Sequence, residues 1–249
     1  MLLAIDIGNT STKFGVFDRD ALVSKLSIAT IKNAAADDLA NAIGNDLPQN
    51  ITAAIVSSVV PELENPLGDF LTKRFSIKPV FVDTSFDFGL TVRYKTIATL
   101  GVDRLITASA AAAKYGVPCI VCSFGTATTI DAVNSAREYL GGIISPGLKT
   151  MAEALHLKTS KLPEVEIARP KSIIGDTTDS SIQSGIFYGY VGLVDGIILR
   201  MTAELGEKPQ IIATGGFADT IADECKQIQI TDENLLLEGL QIIHETLQK

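Results

Sequence analysis

The sequence predicts a mixed α/β protein built from two similar halves in tandem. Short apolar strand segments alternate with helical segments along the 249 residues, a pattern typical of mixed α/β architecture. The opening strand and turn recur at a constant offset of 117, which sets Ser123 on Asp6, Gly125 on Gly8 and Thr126 on Asn9. One such opening per half indicates a duplication, so we expect domains over 1–116 and 117–249.

The first half begins with a β-hairpin. An apolar run over 2–5 leads into the turn residues Gly8-Asn9-Thr10, and a second run over 13–17 ends at Asp18. Further along, Pro61 stops a strand and Gly116 ends an Ala-rich helix. The predicted helices of this half are 36–46, 62–74 and 105–115, and the predicted strands are 51–60 and 79–83.

The second half repeats the strand and turn over 119–133. The glycine-dense segment from Gly141 to Leu148 predicts a loop, and the proline-containing segment 162–174 predicts another. Glycines spaced by three and four residues predict close helix packing or a dimer contact rather than a ligand site; they are Gly185, Gly189, Gly192 and Gly196. The predicted helices are 151–157, 179–204, 217–225 and 233–247, with a strand over 210–213.

Charge excludes one class of partner. Asp and Glu number 29 against 21 Lys and Arg, a net charge of -8, and no basic patch is evident, so we expect no nucleic-acid partner. We also expect no membrane partner and a cytoplasmic location, because the sequence opens without a basic, apolar leader. A small anionic ligand remains compatible with this charge, since one pocket can be positive on an acidic protein.

The three cysteines predict core packing. Cys119 and Cys122 form a C-x-x-C pair, but they lie in an apolar strand segment. There is no second Cys pair, since Cys225 stands alone, and the chain has only two His, so packing is favoured over a metal or redox role.

The remaining motifs point to a nucleotide. The chain has no G-x-x-x-x-G-K-[ST] loop, no G-x-G-x-x-G after a strand and no G-x-S-x-G elbow. It has three Gly/Thr turns next to strand ends instead, at Asp6–Thr10, Gly125–Thr129 and Thr214–Gly216. Backbone N–H groups of such turns can approach phosphate oxygens, while Asp6 can hold Mg²⁺ through water and Lys13 can neutralise phosphate charge. Taken alone, the first turn could equally be a simple hairpin turn.

Gly101-Val102-Asp103-Arg104 opens a predicted helix. Asp103 could be a helix cap or a general base that takes a proton from an attacking hydroxyl, with Arg104 on an anionic substrate group.

Together these motifs resemble the type III pantothenate kinase family. The resemblance rests on Asp6–Thr10 with Lys13, Tyr94 before Gly101–Arg104, Gly125–Thr129, Gly141-Gly142-x-x-x-Pro146-Gly147 and Thr214–Gly216. It implies two ribonuclease-H-like domains of the actin and sugar-kinase superfamily, with a nucleotide cleft between them. It also implies ATP-dependent phosphorylation of pantothenate, the first step toward coenzyme A, by a homodimer whose pantothenate pocket lies near the subunit contact.

The same resemblance assigns residue roles. Asp103 is the expected base. The expected ATP-binding residues are Asp6, Ile7, Gly8, Asn9, Thr10, Ser11, Thr12, Lys13, Gly125, Thr126, Gly215 and Gly216. The expected pantothenate-binding residues are Tyr94, Gly101, Val102, Asp103, Arg104 and Thr178.

Ser123 departs from the pattern. The family usually has Asp there, at the position associated with an activating monovalent cation, K⁺ or NH₄⁺, and the internal repeat with Asp6 also predicts a carboxylate. We therefore expect a kinase with reduced or altered cation dependence. The alternative is a non-catalytic or regulatory homologue that retains the fold and dimer; intact Asp6, Lys13 and Asp103 speak against it. A kinase for another small hydroxy acid is a third reading, which Tyr94 and the Gly101–Arg104 motif disfavour.

Overall fold

The computed structural model describes residues 1–248, and their contacts divide them into two compact units. The first unit contains 1–90, 94–110 and the chain from Leu235 onward. The second unit contains 91–93 and 111–234.

The first unit is a five-stranded sheet with helices packed on both faces. Its order is β3-β2-β1-β4-β5, with β1 parallel to β4 and antiparallel to β2. The strands are β1 Leu2–Ile7, β2 Ser11–Asp18, β3 Ala21–Ala29, β4 Ala53–Ser58 and β5 Val80–Phe81. The helices are α1 Ala36–Ile43, α2 Glu64–Phe75, the start of α3 Val102–Lys114, and α7 Leu235–Thr246.

The two faces of this sheet have different partners. Alternation along β1 turns Leu3, Ile5 and Ile7 into a core shared with α1 and α2. The opposite face carries Ala4 and Asp6, and α7 packs on that side of β1, where Gly239 approaches α3 closely. The first turn of α3 therefore belongs to the Asp6 side of the sheet.

The second unit is a six-stranded sheet in the order β11-β10-β7-β8-β9-β6. Its strands are β6 Thr91–Val92, β7 Cys119–Phe124, β8 Ala127–Val133, β9 Glu138–Pro146, β10 Gln210–Gly215 and β11 Ile230–Thr231. Its helices are α4 Leu148–Lys158, α5 Thr178–Leu205 and α6 Ala218–Ala222. All three pack with one face of the sheet in a single apolar core.

The predicted duplication is confirmed by strand pairing. The bounds of β7 lie at the predicted offset from those of β1, and each strand is followed by two antiparallel strands and then pairs with a parallel one. Asp6 pairs with Ser57 of β4 as Ser123 pairs with Thr214 of β10. The second hairpin has a turn one residue shorter, since Ile7 pairs with Thr12 but Phe124 pairs with Thr128.

The loop predicted from Gly141 to Leu148 is wrong. The segment up to Pro146 is strand β9, and α4 starts at Leu148. Gly142 allows this strand to lie against β8, because a Cβ there would overlap the Ile130 carbonyl and come within 2.8 Å of the Asp131 Cα. The glycines serve close strand approach here rather than a turn.

Helix α5 has the length and apolar composition of a membrane-spanning helix. Its apolar side chains are nevertheless core residues, because Phe187, Tyr190, Val194 and Ile198 are buried in the second unit. The helix therefore behaves as the core helix of a globular unit.

The cysteine prediction is confirmed. Cys119, Cys122 and Cys225 are free and buried, and burial raises the pKa of each thiol. Such thiols are poor nucleophiles and poor metal ligands.

Helix α7 belongs by its contacts to the first unit, whereas the sequence boundary assigned it to 117–249. Its Leu237 packs against Gly15 and its Gly239 against Ile106. The boundary after residue 116 remains a prediction.

Candidate active site

Asp6 lies between a cation and a hydroxyl on neighbouring strands. Register pairs it with Lys13 of β2 on one side and with Ser57 of β4 on the other. Side chains of paired residues point to the same face of a sheet, so the three groups lie side by side.

The Asp6 carboxyl has a strongly perturbed pKa. Burial, followed by the negative charge of Asp103, raises this pKa from 3.8 to about 7, while Lys13 and then Ser57 act in the opposite direction. A carboxyl of this kind is stabilised by a cation, which would favour its ionised form.

Asp103 stands in the first turn of α3, directly after Gly101 and Val102. A Cβ at position 101 would collide with the Asp103 carboxylate, so Gly101 leaves that carboxylate its space.

Arg104 is buried, with 5% of its surface exposed, and its guanidinium lies 5.8 Å from the centre of the Tyr94 ring. This distance is within the range of a cation–π contact. The structure thus brings together Tyr94, Arg104 and, through the chain, Asp103 in the first unit. Val102 is buried beside them.

Thr30 fixes the turn between β1 and β2 through hydrogen bonds. Its hydroxyl donates to the Gly8 carbonyl at 2.7 Å and lies 3.1 Å from the Thr12 hydroxyl, and its N–H donates to the Thr10 carbonyl at 3.0 Å. Asn9 and Thr10 are exposed and Ser11 is partly exposed, whereas Ile7 and Thr12 are buried. The polar tip of the turn is therefore the part that can meet a phosphate.

The second unit has a comparable turn at Gly125 and Thr126. The Thr126 carbonyl accepts from the Gly147 N–H at 2.9 Å and from the Thr150 hydroxyl at 2.7 Å. A side chain on Gly147 would overlap the Gly125 carbonyl. Gly147, between β9 and α4, thus supports this turn together with Thr150 of α4.

Gly215 closes the same edge of the second sheet. Its φ is +97°, and a Cβ there would lie 2.5 Å from the Phe124 carbonyl oxygen, so only glycine fits. Gly216 has open space around it, and Thr178 is the exposed first residue of α5.

Ser123 has only uncharged direct neighbours in its sheet. It pairs with Thr129 of β8 and Thr214 of β10, where Asp6 pairs with Lys13 and Ser57. Asp131 follows on the same strand face as Thr129, but the Tyr139 hydroxyl donates to it at 2.7 Å. The structure supplies hydroxyl oxygens at position 123 and no carboxylate in register with it.

Ser57 and Thr30 were missed by sequence reasoning. Both contact residues of neighbouring strands, and the sequence alone does not show which strands lie side by side. The one available signal was that Ser57 and Ser58 end an otherwise apolar strand segment.

Comparison with known proteins agrees with these motifs. The family model for type III pantothenate kinase matches residues 2–200. A type III pantothenate kinase of Halalkalibacterium halodurans is 40% identical over 251 residues, covering 98% of this chain and 99% of that protein. These matches give no support to the alternative of a non-catalytic homologue.

Similar solved structures support the fold of this chain and say nothing of its function. A Campylobacter jejuni protein described as a Baf family transcriptional activator has a TM-score of 0.65 at 18% identity, covering 99% of this chain and 98% of that one. The polyphosphate/ATP-glucomannokinase of Arthrobacter sp. strain KM has a TM-score of 0.51 at 16% identity, covering 100% of this chain and 99% of that one. The chain has an actin-like, sugar-kinase-like fold, and by its sequence it belongs to the type III pantothenate kinase family.

Proposed function

We propose that Asp103 is the general base of the reaction and that Asp6, Lys13 and Arg104 hold its charged groups. The chain is an ATP-dependent pantothenate kinase, which forms 4'-phosphopantothenate in the first step of coenzyme A biosynthesis. The observation that carries the proposed roles is the electrostatic coupling of Asp103 to Asp6, with Lys13 beside them.

The residues present fit Mg²⁺ bound with ATP. Asp6 offers an oxygen ligand beside the buried Ser57 hydroxyl, which makes no hydrogen bond of normal geometry among residues 1–248. Within that range there is no group of three His, Cys, Asp or Glu side chains able to hold a metal. This agrees with Mg²⁺, which is usually held by one or two carboxylates together with phosphates and waters. When bound, Mg²⁺ supplies positive charge at the transferring phosphoryl group.

In the proposed reaction, the Asp103 carboxylate accepts the proton of the pantothenate hydroxyl as the hydroxyl oxygen bonds to the γ-phosphorus of ATP. The bond between that phosphorus and the β,γ-bridging oxygen breaks, and ADP leaves with the electron pair. Asp6 would hold Mg²⁺ through water, and Lys13 would neutralise phosphate charge. In the first unit, the turn at Gly8–Ser11 offers backbone N–H groups to phosphate. In the second unit, the turns at Gly125–Thr126 and Gly215–Gly216 offer groups of the same kind.

Arg104 is proposed to bind the pantothenate carboxylate. Its guanidinium is buried beside the Tyr94 ring, and a planar guanidinium matches a carboxylate through two parallel hydrogen bonds. Thr178 is proposed to add a hydroxyl contact from α5.

The test is Asp103→Asn. We expect phosphorylation to fall by a factor of about 100 to 10,000, the usual contribution of a positioned base, with binding of Mg·ATP preserved. Asp37→Asn is the matched control, because Asp37 also lies in the first turn of a helix but forms a surface ion pair with Lys73 at 3.3 Å. Turnover of Asp103→Asn equal to that of the control would remove Asp103 as the base.

Dependence on a monovalent cation is proposed to be weak. The family position for the K⁺ or NH₄⁺ site is Ser123, and the residues paired with it, Thr129 and Thr214, supply hydroxyls only. Hydroxyl oxygens ligate such a cation more weakly than a carboxylate does.

A cytoplasmic homodimer is proposed as the working form. Three free cysteines, none in a disulfide, suit a reducing compartment. Helix α5 offers the dimer contact, because Gly185, Gly189 and Gly192 are exposed and have no atom within 4 Å of a built Cβ.

A further inference from the structure

We propose that Ser57 is a positioning residue that orients the Asp6 carboxylate toward Mg²⁺ bound with the nucleotide. The inference rests on the proposed role of Asp6 in holding that ion. Ser57 acts through Asp6 and contacts neither the nucleotide nor pantothenate.

The first observation is a buried hydroxyl beside the Asp6 carboxyl. Ser57 has 0% of its surface exposed, and its Oγ makes no hydrogen bond of normal geometry within residues 1–248. It nevertheless lowers the pKa of the Asp6 carboxyl as a hydrogen-bond donor, so Asp6 is the group that this hydroxyl faces. A buried polar group needs a partner, and a bound state in which Ser57 donates to Asp6 with good geometry supplies one.

The second observation is the direction of that hydroxyl. Ser57 is in register with Asp6 on the neighbouring parallel strand and belongs to the face opposite the α1 and α2 core. Lys13 occupies the other side of Asp6. Asp6 is thus the acidic group beside the Ser57 O–H, and Ser57 lowers its pKa as a hydrogen-bond donor.

The third observation comes from the duplication. Thr214 holds the same register position beside Ser123 as Ser57 holds beside Asp6. Each of the two parallel strands is apolar up to this point, with Ala53–Val56 in one and Ile211–Ala213 in the other. A hydroxyl follows in both halves, although packing would be satisfied by an alanine or valine.

With Mg²⁺ and nucleotide bound, the Ser57 O–H would donate to the Asp6 carboxylate from one side, and the Lys13 ammonium would attract it from the other. The carboxylate would then be held in one orientation rather than several as a ligand for the hydrated ion.

The experiment measures binding of a non-hydrolysable ATP analogue by calorimetry, once with Mg²⁺ and once with a chelator. We expect Ser57→Ala to reduce the Mg²⁺-dependent gain in affinity by about tenfold, the effect of one hydrogen bond to a charged group. Binding without Mg²⁺ should be unchanged. Ser57→Thr, the residue type of the other half, should retain most of the gain.

Ser58→Ala is the matched control. Ser58 is the next residue of β4, and its hydroxyl already accepts the Val60 N–H at 3.2 Å, so its loss should leave the Mg²⁺ effect unchanged. The melting temperature separates a structural role from the proposed one. A lower melting temperature of Ser57→Ala together with an intact Mg²⁺ effect contradicts the proposal.

Asp6→Asn distinguishes this inference from the proposed function. If Asp6→Asn loses the Mg²⁺ effect and Ser57→Ala keeps it, Ser57 has no positioning role. If Asp6→Asn itself keeps the effect, the proposed role of Asp6 is wrong, and the role of Ser57 fails with it.

Discussion

At position 123 a serine hydroxyl stands where the first half of the chain has the carboxylate of Asp6. Strand β7 is otherwise a faithful copy of β1 in length and register, so the difference is one of charge and not of backbone. Its two direct neighbours in the sheet are threonines. From Ser123 and these two neighbours, a cation near this position therefore meets oxygen dipoles rather than a formal negative charge.

Ser123→Asp should raise K⁺-stimulated turnover and lower the K⁺ concentration that gives half of the stimulation. A carboxylate at ~4 Å from a cation contributes up to about 4 kcal/mol at an effective dielectric of 20, before desolvation is subtracted. Turnover is measured in Na⁺, K⁺ and NH₄⁺ at matched ionic strength.

Ser123→Asn is the control for that substitution, because it has nearly the size of Asp without its charge. An unchanged K⁺ response in Ser123→Asp would show that the carboxylate does not determine cation dependence here.

Among single residues, those that belong to a local sequence motif could be predicted. Asp6, Lys13 and Asp103 were found because each belongs to a short run of characteristic residues. Ser57 was not, because its relation to Asp6 arises only when β4 is placed beside β1. The proximity of Asp6 and Asp103, which raises the pKa of Asp6, has the same origin in tertiary structure.

Among the elements, β9 shows that glycines can predict a loop where the structure has a strand. Gly141 and Gly142 are turn residues by propensity, yet they lie in a strand paired with β8. Gly141 has a positive φ and lies at an irregularity in the pairing, while Gly142 is required by the closeness of the neighbouring backbone. Strand β3 was missed for another reason: its residues alternate between exposed and half-buried, which leaves no continuous apolar run.

Gly142→Ala should destabilise the second unit by about 1–3 kcal/mol, the usual effect of forcing extra volume into a packed region. The added Cβ meets backbone atoms of β8, which cannot move aside as a flexible side chain can. The free energy of unfolding, measured with urea, checks this.

Gly68→Ala in α2 is the matched control. A Cβ there has no atom within 4 Å, so the change should stabilise the helix by about 0.5–1 kcal/mol. Equal stability of both variants would mean that β9 and β8 can separate at no cost.

For the whole molecule, the proposed dimer makes a prediction that does not depend on catalysis. Gly189→Glu places a charged side chain on the exposed glycine face of α5, where the isolated chain has space for it. We expect the mass in solution to fall from about twice 26.5 kDa to 26.5 kDa. Light scattering after gel filtration measures it.

Gly68→Glu provides the comparison, since it adds the same charge to a helix of the first unit. A Gly189→Glu variant that keeps the double mass would exclude this face from the contact.

The duplicated architecture was the most predictable property of the molecule. The constant spacing between two short motifs predicted the duplication, and the strand order and register of both units confirm it. The assignment of α7 to the first unit was beyond sequence reasoning, because a C-terminal helix carries no mark of the sheet on which it packs.

The matched register of the two halves has a consequence for altering the charge at position 123. Each half has a strand at this place, a hydroxyl residue on the neighbouring parallel strand and a glycine-containing turn. The first half adds the Asp6 carboxyl and the Lys13 ammonium, where the second half has Ser123 and Thr129. Because the two strands share length and register, a substitution at position 123 changes the charge at the strand end without requiring a change of fold.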